Sequence, residues 1–181
     1  MIKKIITSSL QPNANLLFML LFIGIGTPLL SGCGVYSFKD VSIDYSKIKT
    51  IKISYIDNKA RYINPQLSPK LSDKLQQKIR SSTKLILTNN DDANLQISGS
   101  ITDYSVSTAA ITTTQATTNR LTVAAHIISK NTLDNKTQEF DVSRNFDFSA
   151  NLALQQAETQ LIDEIVRSLT DEIFNHIFSN W

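Results

Sequence analysis

Hydrophobic positions along this chain recur with two different periods, and the changes of period divide it into elements. Ile51, Ile53 and Tyr55 alternate with Thr50, Lys52 and Ser54, the period of two that a half-buried strand requires. Leu67, Leu71, Leu75 and Ile79 then recur every fourth residue, which predicts a helix with Asn64 or Ser68 as its cap. A short strand over Leu85 to Thr88 ends at the turn cluster Asn89 to Asp92. Alternation resumes in Leu95, Ile97, Gly99 and Ile101, in Leu121, Val123, Ala125 and Ile127, and in Phe140, Val142, Phe146 and Phe148. Asn131 to Lys136 supplies a hairpin turn between the last two. The chain closes with an apolar stripe at helical spacing that includes Leu161, Ile165, Leu169, Ile173 and Phe178. Asn94, Gln96, Ser98 and Ser100 make the opposite strand face polar, so the sheet is covered on one side only. The expected fold is α+β: a two-layer sandwich in which a mixed four- to five-stranded sheet carries two helices packed on one face.

The N-terminal segment follows another logic. Lys3 and Lys4 precede the apolar run Leu16 to Gly26, too short to span a bilayer, which takes roughly 20 apolar residues. Leu30-Ser31-Gly32-Cys33 follows, the lipobox pattern of bacterial lipoproteins. Its Cys thiol forms the thioether to diacylglycerol, and the small residues before it admit the signal peptidase. The reading is a cleaved lipoprotein signal peptide over 1–32 and a single domain over 33–181, held at a membrane by acyl chains on Cys33. Gly34 stands where an Asp would favour retention in the inner membrane, which directs the expectation to the outer membrane. Cys33 is the sole cysteine, so the domain has neither a disulfide nor a cysteine-based metal site. A domain of this size buries about 68–70% of its unfolded surface, enough for one core without staples.

Charge narrows the function. The formal +2 belongs to Lys3 and Lys4; beyond residue 32 the chain has 16 basic and 16 acidic residues. A body without net charge argues against a general nucleic-acid binder. The cancellation is uneven, because 34–90 carries 11 basic and 4 acidic residues and 91–181 carries 5 and 12. Lys47, Lys49, Lys52, Lys59 and Arg61 lie on or beside the first long strand. Two readings fit them: contact with anionic groups such as phosphates, or pairing with the acidic C-terminal helix of the same fold. Tyr104 to Asn119 has no charge and six threonines, which suits an exposed hairpin tip or a surface held against a partner. Arg144 shares parity with Phe140, Val142, Phe146 and Phe148 and is expected to make a half-buried salt bridge to the C-terminal helix; an outward bulge comes next, and contact with an anionic phosphate is the third option.

Catalytic patterns are missing from the sequence. His126 and His176 are not in a metal-ligand spacing, and there is no GxSxG, Walker or GxGxxG motif. Asp163-Glu164 and Asp171-Glu172 read as the solvated face of a helix. The expectation is a protein without catalysis, metal or cofactor, the covalent lipid on Cys33 aside. An anchored hydrolase would need an unfamiliar site around His126, Asp103 or Arg144.

Cys33-Gly34-Val35-Tyr36-Ser37-Phe38, Asn119-Arg120-Leu121-Thr122 opening a strand, and Ile173-Phe174-Asn175 through Asn180-Trp181, in this order, resemble the LPS-assembly lipoprotein family (LptE). That resemblance implies an outer-membrane lipoprotein that plugs the lumen of the β-barrel protein LptD and assists insertion of lipopolysaccharide into the outer leaflet. Residue by residue it carries over only the lipid site, Cys33. As candidate contacts for lipopolysaccharide phosphate we name Lys47, Lys49, Lys52, Lys59, Arg61 and Arg120. An auxiliary lipoprotein of an ABC-type lipid transporter is the alternative.

Overall fold

In a computed structural model the described residues are 43–112 and 115–179. They form β1 (Thr50–Ile53), β2 (Asp57–Asn58), α1 (Leu67–Ser82), β3 (Ile86–Leu87), β4 (Leu95–Thr112), β5 (Gln115–Asn131), β6 (Lys136–Ser149) and α2 (Leu154–Phe178). The sheet runs β3-β1-β4-β5-β6, with β2 beside β4 as a sixth strand. Pairing is parallel among β1, β2, β3 and β4 and antiparallel in β4-β5-β6, so the sheet is mixed.

The expected α+β sandwich is what the chain adopts. Ile51, Ile97, Leu121, Val123, Ala125, Ile127 and Val142 on one sheet face join Leu71, Leu75, Ile79, Ile165, Leu169 and Ile173 from the helices in a single buried core. α1 forms because its leucines repeat at helical spacing and because Pro69 sits in the first turn, where a backbone N–H has no intrahelical partner anyway. Its N-cap is Gln66, which makes no side-chain cap bond. Asn64 acts just outside, its Oδ1 accepting the Gln66 N–H at 2.9 Å, while Ser68 is buried within the helix. α2 starts with Gln156 Oε1 accepting the Ala153 N–H at 3.2 Å. Lys70 pairs with Asp163 and Lys78 with Asp171, each at 3.0 Å. Both partners advance by eight residues, so the helices run side by side in the same direction. None of the helices described is long and apolar enough to cross a membrane.

The β5–β6 turn falls where expected, with Asn135 in the left-handed region at φ 54. At Gly99 the strands approach closely. A Cβ there would lie 2.5 Å from the His126 carbonyl oxygen and 2.7 Å from Ile127 Cδ1. The ladder between β4 and β5 runs well past the alternating core, to Thr112 opposite Gln115. Register shifts between Ile101 and Asp103 and between Thr108 and Ala110 interrupt it.

Candidate functional site

The basic residues singled out in the sequence are dispersed over the fold. Lys47 lies in the turn before β1 and pairs with Asp44 at 3.5 Å. Lys49 precedes β1, where Asn94 Oδ1 accepts both the Lys49 and the Thr50 backbone N–H groups. Lys52 stands on the uncovered sheet face and bonds Asp91. Lys59 and Arg61 are exposed in the loop that leaves β2. Arg120, on β5, grips Asp147 of β6 with two bonds, 2.7 Å from Nε and 2.9 Å from the guanidinium NH2. That grip is bidentate and charge-assisted, and it holds the Asp147 carboxyl below the usual carboxylate range. Lys52 does the same for Asp91. Lys47, Lys52 and Arg120 thus already have carboxylate partners in the chain itself. Among the described residues the ion pairs of the acidic C-terminal helix are with other residues, namely Lys70, Lys78 and Arg144.

Arg144 behaves as its parity requires. Its Nε reaches Glu172 Oε2 on α2 at 2.7 Å, and the Glu172 side chain is only 19% exposed. The uncovered face of β4, β5 and β6 is polar. His126 sits there with Nδ1 2.8 Å from Asp141 and Nε2 3.5 Å from Glu139. His176 stacks on Phe140 with ring centroids 4.8 Å apart. Among the described residues no group of three or more His, Cys, Asp or Glu side chains could hold a metal ion. Cys33 and the lipobox residues Leu30, Ser31 and Gly32 lie outside the described residues.

A cluster that the sequence reading missed forms where both helices begin. Glu158, 9% exposed, accepts a bond from the Tyr62 hydroxyl at 3.3 Å, and its Oε1 is buried without a partner. Tyr62 stacks on Tyr104 at 5.5 Å, and Asn64 donates to the Tyr104 hydroxyl at 3.4 Å. Burial pushes the Tyr104 hydroxyl well above the usual phenol range; the Asn64 contact opposes this and the Glu158 carboxylate adds to it. Tyr62 shifts the same way, through burial first and Glu158 second. One signal was available: Ala157, Glu158, Leu161, Ile162 and Ile165 share a helix face, so Glu158 falls on the buried side. The arrangement pins the loop after β2 and the middle of β4 to the start of α2. Nothing in it resembles a nucleophile with its base.

No curated protein sequence matches the chain. Among solved structures it is similar to a hypothetical protein, CT253, from Chlamydia trachomatis, with 9% identity, 72% of this chain and 98% of that one covered, and a TM-score of 0.48. The PelC dodecamer from Paraburkholderia phytofirmans gives 8% identity over 74% and 91% of the two chains, with a TM-score of 0.47. Rare lipoprotein B from Shewanella oneidensis gives 13% over 70% and 89%, with a TM-score of 0.40. The model of a family described as lipopolysaccharide-assembly, LptE, matches residues 48–177, from the turn before β1 to the last turn of α2. With that match covering both helices and every strand, the chain belongs to the LptE lipopolysaccharide-assembly family.

Proposed function

We propose that this protein is an outer-membrane lipoprotein, anchored by acyl chains on Cys33, that seats in and stabilises the LptD β-barrel and assists assembly of lipopolysaccharide into the outer leaflet without chemistry of its own. The observation that carries the reading is the family match over residues 48–177. The lipobox Leu30-Ser31-Gly32-Cys33 supports the anchor. Ion pairs that close within the chain, at Arg120–Asp147, Lys70–Asp163 and Lys78–Asp171, suit a body that holds its shape in a partner's lumen. Of the six candidate phosphate contacts, Lys49, Lys59 and Arg61 have no ion-pair partner among the described residues and are the better placed to meet an anionic glycolipid.

Depletion of the protein in its host tests the proposal. Barrel assembly and surface lipopolysaccharide are both expected to fall, and normal levels of both would sink it. Cys33→Ser is expected to leave the protein without its lipid and free of the membrane fraction.

A further inference from the structure

We infer that the outer edge of β4, beyond its contact with β2, is a docking strand for an extended segment of a partner protein, held by main-chain pairing. The inference rests on the reading above that the protein works in complex with an envelope partner. β2 pairs with β4 at only two positions, Asp57 with Ser100 and Asn58 with Ile101. The Lys59 N–H then donates to the Ile101 carbonyl at 2.9 Å, and the chain turns away toward α1. β4 itself continues to Thr112. Among the described residues no strand lies beside it from Thr102 onward on the side away from β5. Among the described residues this stretch of β4 therefore has no strand partner on that side, and it presents the N–H and C=O groups that strand addition uses.

This open stretch of β4 differs from the edge strand β6. β6 carries Lys136, Glu139, Asp141, Arg144 and Asp147 along its length, the charges that normally discourage a second chain from pairing. β4 has no charged residue from Tyr104 to Thr112. The register shifts leave Asp103 to Thr108 as one uninterrupted run, long enough for about six residues of a partner strand.

On one face of this run the side chains are apolar, and part of that face is exposed. Tyr104 and Val106 lie opposite Val123 and Leu121, on the helix-covered side of the sheet. Val106 is 43% exposed, and the adjoining loop adds Tyr62, stacked on Tyr104, and Ile63, 58% exposed. The buried Glu158 accepts a bond from the Tyr62 hydroxyl, which places Tyr62 beside this stretch of β4. The occupant that fits is an uncharged extended segment whose alternate side chains are apolar. A second copy of the chain fits less well. Paired through the same edge it brings only Val106 to the patch, because its own Tyr104 is already 3% exposed.

The test places a photo-crosslinking amino acid at Ser105, Val106 or Ser107 of the full-length protein in its native envelope, with Lys74 on α1 and Ser143 on β6 as comparison sites. The expected result is a crosslink from β4 to one partner, mapped by mass spectrometry to an uncharged extended segment. V106E is expected to reduce the crosslink from Ser105 at least five-fold, and S143E to leave it unchanged, with circular dichroism confirming that both variants are folded. Crosslinks to a partner from Lys74 or Ser143 alone overturn the docking strand and leave the complex intact. A product of twice the chain mass overturns it in favour of self-pairing. The absence of any protein crosslink at all five positions overturns the underlying reading as well.

Discussion

Replacing Arg144 by methionine keeps the aliphatic stem and removes the guanidinium, so the carboxylate of Glu172 stays about four-fifths covered and loses the cation that lay 2.7 Å away. The reverse change, Glu172→Gln, leaves an arginine whose side chain is 52% exposed and rehydrates easily. The costs are therefore unequal. Opposite charges about 4 Å apart attract by roughly 4 kcal/mol at an effective dielectric of about 20. Screening on the exposed arginine side and the ordering of two long side chains cancel most of this and leave a coupling of about 1 kcal/mol. Arg144→Met also strands a mostly desolvated carboxylate, which raises its cost to about 1.5–2 kcal/mol, against about 0.5–1 kcal/mol for Glu172→Gln. Urea unfolding of the parent, both single variants and the double variant gives the coupling as a cycle. Repeating the cycle at about 1 M salt is expected to shrink it. A coupling of zero, or a larger cost for Glu172→Gln than for Arg144→Met, would refute the claim that this pair ties β6 to α2.

Gly99→Ala is expected to destabilise by about 1–3 kcal/mol, since its Cβ would lie 2.5 Å from a backbone oxygen in the middle of the sheet, and thermal unfolding reads the loss. Thr170→Val is expected to stabilise by about 1 kcal/mol, because the Thr170 hydroxyl is buried without a partner in α2; the denaturant midpoint checks it. The carboxyls of Asp147 and Asp91 sit below their ordinary range through bonds from Arg120 and Lys52, so the folded state binds those protons more weakly than the unfolded chain does. Their stabilisation is complete above about pH 5 and drains as pH falls through about 4 and below. Arg120→Ala is expected to flatten the melting temperature against pH in that acidic window, and an unchanged slope would contradict the Arg120–Asp147 assignment.

Legibility of the fold in the sequence follows from where one face is buried. Leu121 to Ile127 and Phe140 to Phe148 alternate because one side of each strand meets the helices, and Arg144 could be assigned its partner helix from parity alone. The reading of β4 stopped at Ile101 for a physical reason. The register shift before Asp103 moves the inward positions from odd to even numbers, so Tyr104 is buried where continued alternation would leave it outside. From Ser105 to Ala110 the side chains of β4 are exposed on both faces, and a strand without a buried face has no hydrophobic period. β2 is two residues long, below what any pattern can register. For the six basic candidates, sequence supplies the charge and leaves the partner undefined. Asp44 lies close by in sequence, but Asp91 and Asp147 meet Lys52 and Arg120 only through the sheet.

Affinity purification of the full-length protein from detergent-solubilised outer membranes tests the central claim most directly. The account predicts a stoichiometric complex with the LptD barrel, retained when Cys33 carries its lipid. Recovery of an ABC transporter complex in place of the barrel, or of the protein alone, would contradict it.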